Sequence, residues 1–468
     1  MDRLSALDVS FLYFEEPSTP MHVGGVLVFQ PPERGFDHAS LTALIERRLA
    51  LAPRFRQKVK WVPGRLANPV WVDDTAFDLG YHVRRSALPR PGSDPQLHEL
   101  VARLISRRLD RSRPLWELYL VEGLSGGRVA IITKTHQAMV DGVAAIDLQQ
   151  VLFDRTPQPR AVPDVPWRPR REPSGLTLLS QAVEEVVRRP PAALDALRLG
   201  MNDLRNVAGR TATVLTSLAR AAQVVARPAP SSPLNVPIGE QRRFAVASTS
   251  LDDYRNVRKA HAGTVNDVVL ATCAGALRAW LLSRGEPVVS QSTVRALLPV
   301  SMRHSARAGG PGGTGGMDSR VSSFLVDLPV GEPSPVVRLA RISYALQALT
   351  DAGRSVGADA LVALSGFAPP TLHALGARVA HRASRRLFNV VITNVPGPQF
   401  RLYIDGARMS EAYPAAPLAK NMAVSIGLTS YDGAVYYGLT ADRDAMSDVD
   451  TLATLIEESL AELVETVR

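Results

Sequence analysis

Six prolines crowd into residues 156–173, at positions 157, 159, 163, 166, 169 and 173. Proline has no backbone N–H to donate and its ring collides with the preceding helical turn, so neither a regular helix nor a central strand can cross such a stretch. The segment reads as an extended connection. It divides a chain of 468 residues, longer than one hydrophobic core usually spans, into an N-terminal part of residues 1–155, a linker of 156–233 and a C-terminal part of 234–468. Much of the charge sits in the linker: residues 156–230 hold eleven arginines against six acids, a net +5 out of the chain's +9. Within it Leu176, Leu179, Val183 and Val186 recur at helical spacing, as do Leu194, Leu197, Met201 and Leu204, and a third such run covers 214–225. These are expected to be amphipathic helices with arginine-rich polar faces. They either pack on a domain with a solvated basic side or dock on an anionic membrane surface.

On both sides of the linker short β-like runs alternate with helical ones. Residues 115–121 and 128–135 flank a turn from Gly123 to Gly127 and predict a hairpin. In the C-terminal part 243–247, 294–300, 321–328, 390–393, 422–429 and 434–440 predict strands, and 449–467 predicts a closing helix. Asp432-Gly433 between two apolar runs supplies the positive φ angles of a type I′ turn. The expected fold class is α/β of the α+β type: two halves with mixed sheets flanked by helices, joined by a helical linker.

Composition excludes several functions. Hydrophobic residues make up 46% and charged residues 21%, a balance that folds rather than stays disordered. A single cysteine, Cys273, can form neither an internal disulfide nor a thiolate metal cluster, and it lies in an apolar helical run where a small buried hydrophobe is expected. The start lacks the basic and apolar regions of an export signal, so a cytoplasmic protein is expected. The longest stretch without Asp, Glu, Lys or Arg, 360–377, is broken by Pro369-Pro370 and His373, which argues against a spanning helix. A net charge of +9 favours an anionic partner. No nucleic-acid signature accompanies the arginines, so no nucleic acid is expected.

The chemistry concentrates in Lys134-Thr135-His136-Gln137-Ala138-Met139-Val140-Asp141-Gly142, which leaves a strand and enters a helix. Asp141 is placed as the helix N-cap, with Gly142 permitting the sharp entry. A histidine at a strand end, with a pKa near working pH, suits a general base that takes the proton of an attacking hydroxyl. Taken alone, the same residues are better explained by a satisfied histidine beside an ordinary cap.

Other segments decide between these. His136, Asp141 and Gly142 resemble the His-His-x-x-x-Asp-Gly motif of the coenzyme A-dependent acyltransferase superfamily. The rest of the chain narrows the resemblance: Leu4-Ser5-Ala6-Leu7-Asp8 with Pro20-Met21-His22-Val23-Gly24, Arg113-Pro114-Leu115-Trp116, Leu234-Asn235-Val236-Pro237-Ile238-Gly239, Asn266-Asp267, Leu298-Pro299-Val300-Ser301-Met302-Arg303 and Asn394-Val395-Pro396-Gly397-Pro398. As an ordered set these look like landmarks of the bacterial wax ester synthase / diacylglycerol acyltransferase family. The resemblance implies two chloramphenicol-acetyltransferase-like domains with the reaction site in a tunnel between them. It implies transfer from acyl-CoA to diacylglycerol or a long-chain alcohol, with no bound cofactor, no metal and no acyl-enzyme. It also implies peripheral association with the inner face of the cell membrane or with lipid inclusions.

The chain departs from the motif where the chemistry is most sensitive, because Gln137 stands where the family's second histidine, usually the base, is expected. Glutamine cannot accept a proton at neutral pH. Extended backbone would send His136 and Gln137 to opposite sides. Three outcomes stay open: His136 reorients and acts as base, Gln137 only positions the hydroxyl and transfer is slow, or the protein binds lipid and acyl-CoA without turnover. The resemblance marks Asn266, Asp267, Asn394, Pro396, Gly397 and Trp116 as candidates for substrate contact, with Arg303 as the partner of Asp141. The alternatives are plain: Trp116 starts a strand and suits a core, Asn266-Asp267 caps a helix, and Asn394 to Pro398 is a turn by composition. The glycine-rich run 309–316 reads as a flexible loop, and His22 as structural or facing the interface.

Overall fold

The computed structural model describes residues 2–140, 151–163, 166–188, 228–302, 320–351, 356–357 and 387–468. Its strands run β1 (His22–Gln30), β2 (Gln57–Lys60), β3 (Val70–Asp73), β4 (Val83–Ala87), β5 (Trp116–Glu122), β6 (Val129–His136), β7 (Arg242–Ser250) and β8 (Val294–Met302). They continue with β9 (Arg320–Leu328), β10 (Val356–Gly357), β11 (Val390–Pro396), β12 (Tyr403–Ile404), β13 (Ala407–Ala415), β14 (Val424–Tyr431) and β15 (Ala434–Asp442). The helices are α1 (Ala6–Phe14), α2 (His38–Arg48), α3 (Leu79–His82), α4 (Asp94–Ile105), α5 (Gln137–Val140), α6 (Gly175–Arg188), α7 (Leu251–His261), α8 (Val265–Ser283), α9 (Pro335–Asp351) and α10 (Val449–Glu465).

Two sheets organise the molecule. The first runs β12–β13–β1–β6–β5–β4 and is antiparallel except between β4 and β5. The second runs β10–β9–β8–β11–β14–β15–β7, with parallel pairs on either side of β11. Both are mixed sheets, as expected, and the hairpin of β5 and β6 and every C-terminal strand read from the sequence are present. Asp432 and Gly433 both hold positive φ, 42° and 86°, between β14 and β15.

Helices complete each core. α4 starts on a capping box between Ser93 and Gln96 and turns Leu97, Leu100, Val101 and Leu104 inward. In the C-terminal half α8 is buried along most of its length, Cys273 included, against Leu452, Ile456 and Leu460 of α10. By length and composition α8 is the one described helix apolar enough to cross a membrane, yet 72% of its 18-residue apolar stretch is buried.

The sequence did not reveal that the C-terminal half lends two strands to the first sheet. β13, far along the chain, pairs with β1 and carries β12 to the edge of the first sheet. Phe244, Tyr431 and Tyr436 from the second sheet share the first sheet's core, and the Tyr436 hydroxyl donates to the Ser410 carbonyl at 2.9 Å. Gly438 lets the strands approach, since a Cβ there would lie 1.8 Å from the Pro414 carbonyl oxygen.

The proline-rich connection is irregular, as expected, and strapped to the N-terminal half. Glu172 pairs with Lys60 at 2.8 Å, the Arg170 N–H donates to Asp73 and Trp167 sits edge-on to Phe77. α6 packs Leu178 and Ala182 on Val62, Val70 and Val72. The buried stripe is therefore offset from the one the spacing suggested: Leu176, 78% exposed, lies outside it. The expected helices at 194–204 and 214–225, like the uncharged stretch 360–377, lie outside the described residues.

Candidate active site

β1 and β6 set the geometry of the motif. His22 and His136 are directly opposite in the antiparallel register, and the Gln137 N–H donates to the Met21 carbonyl at 2.9 Å. The ladder ends there and the backbone turns into α5. The two motif residues differ in environment: His136, the last residue of β6, is fully buried, while Gln137, the first of α5, is partly buried and makes no side-chain hydrogen bond among the described residues.

The His136 ring is committed. Its Nδ1 accepts the Ala138 N–H at 3.1 Å, which places the hydrogen of the neutral ring on Nε2, and Nε2 has no partner among the described residues. Burial, reinforced by Arg111, holds its pKa down at about 3. A ring so tied offers a donor where a base needs a lone pair. This corrects the expectation that His136 reorients to serve as base: freeing Nδ1 would leave a buried backbone N–H unpaired, a cost of about 1–3 kcal/mol.

The surroundings are polar and largely paired. The Lys134 ammonium, on the same face of β6, donates to the Arg107 carbonyl at 2.8 Å and to Glu117 at 3.3 Å, while Glu117 also takes Arg84 at 3.3 Å and the Tyr119 hydroxyl at 2.8 Å. His22 faces the seam between the halves. It lines a cavity of about 10 Å³ with Pro20, Arg242 and Thr440, and neither its Nδ1 nor the Thr440 hydroxyl has a partner among the described residues. That volume suits one water molecule, so His22 reads as structural.

The other candidates divide clearly. The Asn394 side-chain amide donates to the Asn266 side-chain oxygen Oδ1 at 3.1 Å, so the structure brings these two together. Asp267 is the N3 residue of α8; its carboxylate takes the Thr264 N–H and hydroxyl and the Ser343 hydroxyl, so it caps the helix. Trp116 is fully buried, stacked on His82 and edge-on to Phe55, with Nε1 donating to the Phe55 carbonyl. It belongs to the core, which corrects its candidacy for substrate contact. Pro396 ends β11 in register with Ser430. Gly397 follows where a Cβ would meet the Ser430 carbonyl oxygen at 2.3 Å, so close packing alone demands glycine there. Asp141, Gly142, Arg303 and the run 309–316 lie outside the described residues. Among the described residues no cluster of His, Cys, Asp and Glu could hold a metal ion. Sequence reasoning missed a basic cavity beside β5; its only signal was the close spacing of Arg107, Arg108 and Arg111.

A pH dependence follows from the buried imidazoles. The folded-state pKa of His136 lies below the ordinary 6.5, so unfolding takes up a proton between those values. Stability is present above about pH 6.5 and is lost as pH falls towards about 3. His22, His82 and His98 are likewise lowered by burial and act in the same direction. Denaturant unfolding at a series of pH values should show this slope. His136→Gln should flatten it by about 1.4 kcal/mol per pH unit; an unchanged slope would show that folding does not lower the His136 pKa.

Comparisons with known proteins agree with this geometry. The wax ester synthase/diacylglycerol acyltransferase catalytic-domain pattern matches residues 4–269, and that family's C-terminal domain pattern matches 318–464. The probable diacylglycerol O-acyltransferase tgs2 of Mycobacterium tuberculosis is 35% identical over 482 residues, covering 100% of both chains. Its namesake tgs3 is 50% identical over 257 residues, 55% of this chain and 95% of tgs3. Among solved structures, the wax ester synthase/diacylglycerol acyltransferase from Marinobacter aquaeolei VT8 superposes over 100% of both chains with TM-score 0.69 and 29% identity. The first condensation domain of the calcium-dependent antibiotic synthetase, at TM-score 0.58 and 15% identity over 99% of this chain and 95% of that one, shares the fold.

Proposed function

This chain belongs to the wax ester synthase/diacylglycerol acyltransferase family, and we propose that it moves a long-chain acyl group from coenzyme A to the hydroxyl of a diacylglycerol or a long-chain alcohol. The observation that carries this is full-length likeness, in sequence and fold, to proteins named for that reaction. As an O-acyltransferase it forms one bond and breaks one: the hydroxyl oxygen attacks the thioester carbonyl, the C–S bond breaks, coenzyme A leaves as its thiolate, and the hydroxyl proton must go elsewhere. In this chain Gln137 orients the hydroxyl through its amide without taking the proton, and His136 holds the Ala138 backbone as a positioning residue. The proton passes to water or to the departing thiolate. Transfer is therefore slow, since a well-placed general base contributes about 10²–10⁴-fold. Release of free thiol from palmitoyl-CoA on adding an acceptor tests the reaction.

The committed His136 ring and the absence of a base at Gln137 favour a second reading, a member of the family that binds lipid and acyl-CoA without turnover. We also propose that the protein is cytoplasmic and docks on an anionic membrane or lipid-inclusion surface. Support comes from exposed Leu66 and Leu176, from α6 starting against Pro63, and from exposed Arg168, Arg170 and Arg171. Flotation with anionic vesicles should show binding that weakens as salt rises; absent or salt-insensitive binding would remove the electrostatic docking.

A further inference from the structure

We propose that the cavity beside β5 receives the phosphate-bearing end of the acyl-CoA donor, held by Arg107 and Arg108; this rests on acyl-CoA being the donor. The cavity measures about 550 Å³, within the range of small-molecule sites. Four arginines line it, Arg84, Arg107, Arg108 and Arg111, against the acids Glu15, Asp110 and Glu117. Each acid already has partners. Glu15 accepts from Arg111 Nε at 2.7 Å and from the Met21 N–H. Glu117 is held by Arg84, Lys134 and Tyr119. Asp110 takes the Ser112 N–H and hydroxyl.

The guanidinium groups of Arg107 and Arg108 are exposed and form no ion pair or hydrogen bond among the described residues. Their backbone is nonetheless fixed. Lys134 donates to the Arg107 carbonyl, and Arg111 anchors the far end of the loop on Leu12 and Glu15. Two cations presented from a pinned loop, beside acids that already have partners, offer paired donors to phosphate oxygens. None of the exposed large hydrophobic side chains lines the cavity, so nothing here would enter a bilayer, and a dissolved phosphate ligand fits better than a lipid headgroup.

The cavity also lies at the right end of β5. The Leu115 carbonyl accepts the His136 N–H, and Glu117 of the cavity wall is two residues further, about 7 Å of strand. A ligand whose phosphates sit here needs a flexible arm to bring its thioester to the motif, and coenzyme A has one.

The test is equilibrium binding of coenzyme A to the full chain, measured calorimetrically, for wild type, Arg107→Ala/Arg108→Ala and the charge-matched control Arg258→Ala/Lys259→Ala on the exposed face of α7. Coenzyme A should bind at least about tenfold more weakly to the first variant and as in wild type to the control. Dephospho-coenzyme A should be less sensitive to the first variant than coenzyme A. Equal losses in both variants would assign the effect to net charge and overturn the proposal, as would wild-type affinity in the first variant or no binding by wild type. Unchanged coenzyme A binding with lost binding to anionic vesicles would overturn it in favour of a lipid headgroup. Binding that is lost as expected in a protein releasing no thiol upholds the site while refuting acyl transfer.

Discussion

Gln137→His is expected to raise acyl transfer about 10²–10⁴-fold, the contribution of a positioned general base. The backbone is ready for it. Residue 137 opens α5 partly exposed, next to the buried His136 ring, and the Met21 carbonyl accepts its N–H, so an imidazole would inherit a set backbone position. Its partly solvated environment would spare it the burial that holds His136 at about 3, leaving it unprotonated in part near neutral pH and able to take the hydroxyl proton. Steady-state rates with saturating acyl-CoA should show the gain in kcat, with coenzyme A affinity unchanged. A rate equal to wild type would mean that residue 137 does not face the acceptor, and the assignment of its role would fall.

Asp154→Ala should lower the unfolding free energy by about 3–5 kcal/mol, the cost of leaving a buried charge without its partner. Arg48 and Asp154 form an ion pair at 2.5 Å with side chains 1% and 4% exposed, and the Arg48 guanidinium also donates to the Val151 and Leu152 carbonyls. Asp154 in turn bridges to Tyr403 through both backbone groups, its N–H at 2.8 Å from the Tyr403 carbonyl. One pair thus joins α2, the end of the N-terminal half and the lent strand β12. Denaturant melts should show the loss as a lowered midpoint. A change under about 1 kcal/mol would place the pair in solvent, where ion pairs contribute little.

Local structure was legible in the sequence wherever a periodic pattern carried it. The hairpin of β5 and β6, the Asp432-Gly433 turn and the strands of the second sheet follow from alternation and turn chemistry that act within a few residues. The crossing of β13 to the first sheet was not legible, because 407–415 has no property that says which sheet it will join; the choice depends on Gly438 and Pro414 meeting across the seam. The stripe on α6 was misjudged for a related reason. Spacing gives a face, but the β2–β3 hairpin decides which face is buried.

Of the candidate site, the sequence pointed to the strand end that carries His136, but strand alternation does not reach Gln137, which already opens α5. It could not show that the Ala138 N–H would occupy Nδ1, since that bond depends on the backbone turning immediately after the histidine. Asp267 and Trp116 carry the family resemblance, yet their side chains are spent on a helix cap and a core.

Thiol release from palmitoyl-CoA by the full chain, with and without diacylglycerol or hexadecanol, tests acyl transfer most directly. Wild type should release thiol slowly and only when an acceptor is present, and Gln137→His should do so far faster. No release from either protein, with any acceptor or chain length, would contradict transfer and leave a protein that only binds its ligands.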